Sequence, residues 1–197
     1  MYHRGNDRAV QFEEWKNVRK NTDSSYGTVF ASEYGEFNSF AESLNKMGET
    51  LVKIMECVLL DSGVLRIDRI GVGVGVILYS PVKKKAAGIH ILAPVTTEAL
   101  PANPAKYANT AIPHALKELE KKGVNPPFTV AFAGGAEMQN IALQARMGQK
   151  VITALREALQ KAKLSINQED AGGSSIRSMT CNLEIGKITI APLSRKL

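Results

Sequence analysis

Apolar positions recur along this chain in two rhythms, and the switches between them mark its elements. The first 35 residues have neither rhythm. Asn, Asp, Ser, Tyr and Gly cluster at residues 21–27, which predicts a weakly ordered extension. Phe37, Phe40, Leu44 and Met47 then fall at helical spacing with Gly48 as a stop, predicting a short amphipathic helix. Residues 51–60 read as a strand, and Asp61-Ser62-Gly63 as a turn. Residues 64–79 are apolar, β-branched and punctuated by glycine, which fits two consecutive strands or one long bent strand ending at Ser80-Pro81. A further short apolar run follows, closed by Pro94, so Lys83-Lys84-Lys85 reads as the charged turn of a hairpin.

The second half changes period. Asn103 is a helix N-cap with Pro104 in the first turn, and Ala108, Ala111, Ile112, Ala115, Leu116 and Leu119 lie on one face before Gly123 stops the helix. Pro113 removes a backbone donor inside it, so a kink is expected unless the first turn reorganises. Residues 128–133 form a strand running into Gly134-Gly135. A second helix is expected over residues 141–163, burying Val151, Leu155, Leu159 and Ala162. Asp170-Ala171-Gly172-Gly173 reads as a loop. Met179, Cys181, Leu183 and Ile185 alternate with polar residues, and beyond Gly186-Lys187 residues 188–190 complete a C-terminal hairpin. Strands and helices mix without βαβ regularity, so the class is α+β: an extension over residues 1–50, then one domain over 51–197.

A length of 197 residues with 44% hydrophobic and 22% charged residues suits one self-sufficient domain with an appendage. The net charge, 25 − 19 = +6, permits acidic partners without choosing among them. Lysine clusters at Lys83–Lys85 and at Lys161 with Lys163 raise a basic nucleic-acid-binding domain as one reading, but no aromatic strand of the RNA-binding kind supports it. The longest apolar runs, 71–79 and 86–95, fall short of the ~18 residues a membrane helix needs. The charged N-terminus lacks the apolar core of a signal peptide, so a cytoplasmic location without membrane insertion is expected. Cys57 and Cys181 lie far apart and in no CxxC, which points to neither a disulfide framework nor a zinc site, and no cofactor or metal is expected.

Chemistry-bearing residues are few. The glycine run at residues 71–75 lacks the third glycine of a dinucleotide fingerprint, because position 76 is Val76, and alternating Gly and Val fits close backbone approach instead. His90, between Ile89 and Ile91, points to the face opposite both. Gly88 would leave room beside it, and by itself His90 reads as a satisfied structural histidine. Cys181 reads as core, and Cys57 as an inert thiol that could face either way. His3 and His114 read as solvated. The pairs Gly134-Gly135 and Gly172-Gly173 suit turns that shape a cleft as well as turns that merely connect.

Taken in order, Gly71-Val72-Gly73, Ser80-Pro81, Gly88-Ile89-His90 with Pro94, Lys106-Tyr107-Ala108, Ala133-Gly134-Gly135-Ala136 with Met138, Asp170 with Gly172-Gly173, and Arg177-Ser178 resemble the CheD family, the chemoreceptor glutamine deamidases of chemotaxis. The resemblance spans residues 54–190. It implies a mixed β-sheet core with helices packed on it, as in deamidase toxins. It also implies hydrolysis of receptor glutamine amides by a Cys, a His and a Thr. Carried onto this chain, the histidine falls on His90, the cysteine on Gly73, its preceding serine on Val72 and the threonine on Ile67. An Arg-Asn pair of the family falls on Lys150-Val151. Glycine has no group to attack a carbonyl, and isoleucine cannot accept a hydrogen bond from an imidazole. The resemblance therefore implies a catalytically silent member, with His90 a vestige. Such a protein would dock on a chemoreceptor or a CheC-type phosphatase through a glycine-lined cleft at Gly73, His90 and Gly134-Gly135. A working deamidase that draws its thiol from Cys57 is the alternative.

Overall fold

The computed structural model describes residues 48–137 and 146–193. The amphipathic segment expected at Phe37 to Met47, His3, Met138 and the first residues of the expected second helix lie outside this range. Among the described residues nine strands and two α-helices follow one another: β1 (Glu49–Val52), β2 (Cys57–Leu60), β3 (Val64–Ile70), β4 (Val74–Ser80), β5 (Lys85–Ile91), α1 (Ala108–Lys121), β6 (Thr129–Gly134), α2 (Met147–Lys161), β7 (Ile166–Ala171), β8 (Arg177–Asn182) and β9 (Lys187–Pro192). They build two mixed sheets, one of order β1-β3-β8-β9 and one of order β2-β5-β4-β6-β7. The α+β expectation holds.

Alternation explains the layering, since successive side chains of a strand point to opposite faces. In the five-stranded sheet Val74, Val76, Leu78, Ala87, Ile89 and Ile91 pack with Ile112, Leu119, Leu155 and Leu159 of the helices. Ile77, Tyr79, Ala86, Ala131 and Ala133 face the other way, onto Leu65, Ile67, Ile70, Met179 and Cys181 of the four-stranded sheet. One sheet is thus apolar on both faces and forms the middle of three layers. β4, at its centre, is buried along its whole length.

Several expected elements are redrawn. The strand expected over 51–60 divides at Met55, whose φ of 60° turns the chain, so β1 pairs with β3 and β2 with β5 in the other sheet. Residues 64–79 are two strands, parted at residues 71–73. Gly73 therefore lies just before β4 and not within a strand. The lysine turn does close a β4–β5 hairpin. The helix expected from Asn103 breaks at Tyr107, which is extended (φ −115°, ψ 139°) because it bridges to Ala93. Asn103 caps only a 3-10 turn, Pro104–Lys106, through its side-chain oxygen and the Ala105 N–H, and α1 then runs uninterrupted through Pro113. Asp170 and Ala171, expected in a loop, end β7, which pairs parallel to β6.

Candidate functional site

The positions singled out by sequence meet where β4, β5 and β6 end together. Gly75 stands opposite His90, and Val74 opposite Ile91 and Gly134. Gly73, just before β4, comes up against the carbonyl of Ile91, the residue after His90. Residues 71–73 run beside residues 134–136, with the Gly135 N–H donating to the Gly73 carbonyl (2.8 Å) and the Ala136 N–H to that of Gly71 (2.9 Å).

The expected open cleft is not what these glycines make. A Cβ on Gly73 would fall inside contact distance of the Ile91 carbonyl oxygen, and one on Gly134 would strike the Gly73 carbonyl. Main chain fills the space that side chains would take. Gly134 also has a φ of +119°, a region open to little but glycine. Gly134→Ala combines backbone strain with overpacking and is expected to lower stability by ~3 kcal/mol, read as a shift in the denaturant midpoint. An unchanged midpoint would mean that this junction yields easily.

His90 points between the two sheets. Its backbone N–H donates to the Glu56 carbonyl and its carbonyl accepts from Met55, which continues the β2–β5 pairing. Gly88 leaves it no free room: Leu65 and Val52 occupy that space, with Leu65 Cδ2 2.5 Å from where a Cβ would be. Nor is the ring satisfied, because Nδ1 is buried without a hydrogen-bond partner among the described residues. Burial pushes the imidazole down to about 4. Ile67 is fully buried, and its Cγ2 comes to Gly75, the residue facing His90, so hydrocarbon packs where the resemblance places a hydroxyl.

Neither cysteine serves this ring. Cys57 pairs with Ile89, and paired residues share a face, so its thiol joins the helix-side core while His90 points to the other side. Burial, with the charges of Glu118 and Glu56 adding to it, pushes the Cys57 thiol up to about 12. Cys181 is buried between the sheets opposite Leu65, and burial raises its thiol to about 11. His114 is half-buried on α1, away from these residues in sequence and layer.

A polar edge lies next to the glycine junction. Arg177, buried on β8 beside Ile70, pairs with Asp170 of β7 (2.8 Å) and donates to the Ser175 carbonyl (2.8 Å). The Gly172 N–H donates to Gly134, and the Glu137 N–H to Gly173, so the Asp170 to Gly173 segment braces the junction from below. Lys150 lies exposed on the first turn of α2, and Val151 is buried. Lys106 sits 5.1 Å from the Tyr107 ring centre. Among the described residues no cluster of His, Cys, Asp and Glu could hold a metal, and no helix is long and apolar enough to cross a membrane.

The profile of the family described as CheD chemotactic sensory transduction matches residues 94–192, about half of the chain. Gly73 and His90 precede that segment. A probable chemoreceptor glutamine deamidase CheD of Methanococcus vannielii is 37% identical over 123 residues, 61% of this chain and 80% of its own length. The chemoreceptor glutamine deamidase CheD of Halalkalibacterium halodurans is 35% identical over 132 residues, 64% of this chain and 82% of its own. A probable enzyme of the same name from Caldanaerobacter subterraneus is 31% identical over 133 residues, 65% and 82%.

Proposed function

The chain belongs to the CheD family, and from that premise we propose that it acts in chemotaxis by binding the cytoplasmic domain of a chemoreceptor without deamidating it. The relatives' names supply the partner. The observation that carries the silent reading is the packing at Gly73, where the Ile91 carbonyl fills the direction a nucleophilic side chain would need. The surroundings agree with it. Burial keeps the His90 imidazole neutral and only weakly basic, its Nδ1 has no hydrogen-bond partner among the described residues, and Cys57 lies on the far side of the sheet with a thiol that stays protonated. His90 and Ile67 then serve as filling between two sheets, and the glycine junction ties three strand ends together.

Calorimetric titration with a chemoreceptor cytoplasmic fragment, with ammonia release followed in parallel, tests this reading. Binding with ammonia at the buffer level is expected. Deamidation that disappears in Cys57→Ala would reinstate the relocated-thiol alternative, and deamidation that survives without either cysteine would mean another nucleophile is at work. Titration with a CheC-type phosphatase in place of the receptor tells which partner is preferred.

A further inference from the structure

We propose that the groove between α1 and α2 is the seat of that receptor, which docks there as a helix bearing acidic residues on both sides of an apolar stripe. This rests on the receptor-binding reading above. It moves the contact away from the glycine junction to the helical layer.

The groove measures about 630 Å³, and its floor is apolar: Leu116, Val124, Phe128, Ala154 and Ala158. A second hollow of about 420 Å³ shares Val95, Ala154 and Glu157 with it and carries the trough towards the start of α2. Val95, at the junction of the two, is 55% exposed. It is held there, because Asn109 of α1 accepts from the Thr96 N–H (3.1 Å) and donates to the Thr96 carbonyl (2.9 Å). An exposed apolar residue fixed over an apolar trough is a preformed contact.

The walls select the shape of the occupant. The long walls are two helices whose interior backbone groups are already paired, with loop residues at 94–95 and 124–128 completing the lining, so the trough offers no strand edge. An extended segment would bring its own N–H and C=O groups into an apolar floor without partners. A helix satisfies its backbone internally and presents only side chains. α2 has 15 residues, about 22 Å of wall, which matches roughly four turns of a docked helix.

Charge selects its chemistry. Four cations, Lys117, Arg146, Lys150 and Lys161, line the trough against two anions, Glu120 and Glu157. None of the six is in a salt bridge among the described residues. Acidic flanks on the visitor would complete the cations. The two glutamates and the apolar floor fit a protein helix better than a phosphate backbone, which would meet both glutamates at close range.

The test is fluorescence anisotropy of a labelled chemoreceptor cytoplasmic fragment titrated with the full chain at low and moderate salt. Lys117→Glu with Lys161→Glu changes two exposed residues and leaves the core intact. It is expected to weaken binding about 10-fold or more at low salt and to flatten the salt dependence. Ala158→Arg, checked by circular dichroism, should block the groove outright. Lys83→Glu with Lys84→Glu, at the hairpin turn, should bind within about twofold of wild type. If both groove variants bind as wild type does, the groove is not the seat, although receptor binding stands. Tighter binding of duplex DNA, or self-association that Ala158→Arg abolishes, would assign the groove to another occupant and overturn the inference. If the unaltered chain does not bind the fragment, the receptor reading falls and takes this one with it.

Discussion

Gly73→Cys is expected to restore no deamidase activity, even though it puts sulfur at the position where the family resemblance places a nucleophile. Loss of a nucleophile from a triad costs on the order of 10⁶ in rate, or ~8 kcal/mol of barrier, so any genuine repair would be conspicuous. Repair needs three things, and the structure argues against each. The new Cβ collides with the Ile91 carbonyl, so the strand ends must part before the side chain can be housed. A thiol lodged in that dry junction would stay protonated for the reason Cys57 does. Among the described residues His90 has no partner at Nδ1 to fix its tautomer, and Ile67 cannot become one. The variant should instead lose about 1 to 3 kcal/mol of stability through overpacking. Ammonia release from a receptor glutamine substrate and a thermal melt on the same sample decide the matter. A folded Gly73→Cys protein that deamidates above wild type would show that the site is merely disarmed, and Gly73→Cys combined with Ile67→Thr would then be the variant to pursue.

A second large effect is expected in acid. His90 in the folded protein titrates at about 4 against an ordinary imidazole value of 6.5, with burial the cause. The unfolded chain therefore binds this proton more readily. The stability this burial contributes is complete above about pH 6.5 and is lost as pH falls from there towards 4. With 1.36 kcal/mol per unit, the loss attributable to His90 approaches ~3 kcal/mol by pH 4. Carboxylates titrate over part of the same range, so the informative quantity is the difference between wild type and His90→Gln in denaturant midpoints from pH 7 to pH 4. The two curves should converge or cross as acid is added. Parallel curves would mean that the imidazole is hydrated or paired in solution and that its burial is overstated.

How much of this was legible beforehand depends on where each residue sits in the layers. The β4–β5 hairpin, β6 and the C-terminal hairpin were readable because their apolar residues are packed and their turns carry Lys and Gly. β7 was not, because its sequence, INQEDA, is an edge strand exposed through its first four residues and so carries no apolar rhythm. β1 and β2 merged into one expected strand because each is apolar enough to continue the other. What separates them is the left-handed turn at Met55, which no residue type announces. At the site, the position of Gly73 near His90 was foreseen but its packing was not. A glycine that opens a cleft and a glycine that lets two backbones touch look the same in a sequence. The side of the sheet that Cys57 occupies likewise depends on its register with Ile89, which only pairing reveals. The groove between the helices has no sequence signature, because of its floor only Leu116 falls on a helix face expected from periodicity, while Val124, Phe128, Ala154 and Ala158 are brought together by packing.

The four-stranded sheet joins the two ends of the domain: β3 lies between β1, parted from it in the chain by residues 53–63, and β8, more than a hundred residues later. During synthesis, then, the first half of that sheet emerges long before its partner hairpin exists. Until residues 177–192 arrive, one edge of β3 is open, and Leu65, Ile67 and Ile70 lack the cover that Met179 and Cys181 give them. Contacts separated so widely close slowly, and an unpaired edge beside an apolar face is where nascent chains adhere to one another. Yield of folded protein should accordingly depend on how long the ribosome or a chaperone shields β3, a demand set by chain topology and independent of what the mature protein binds.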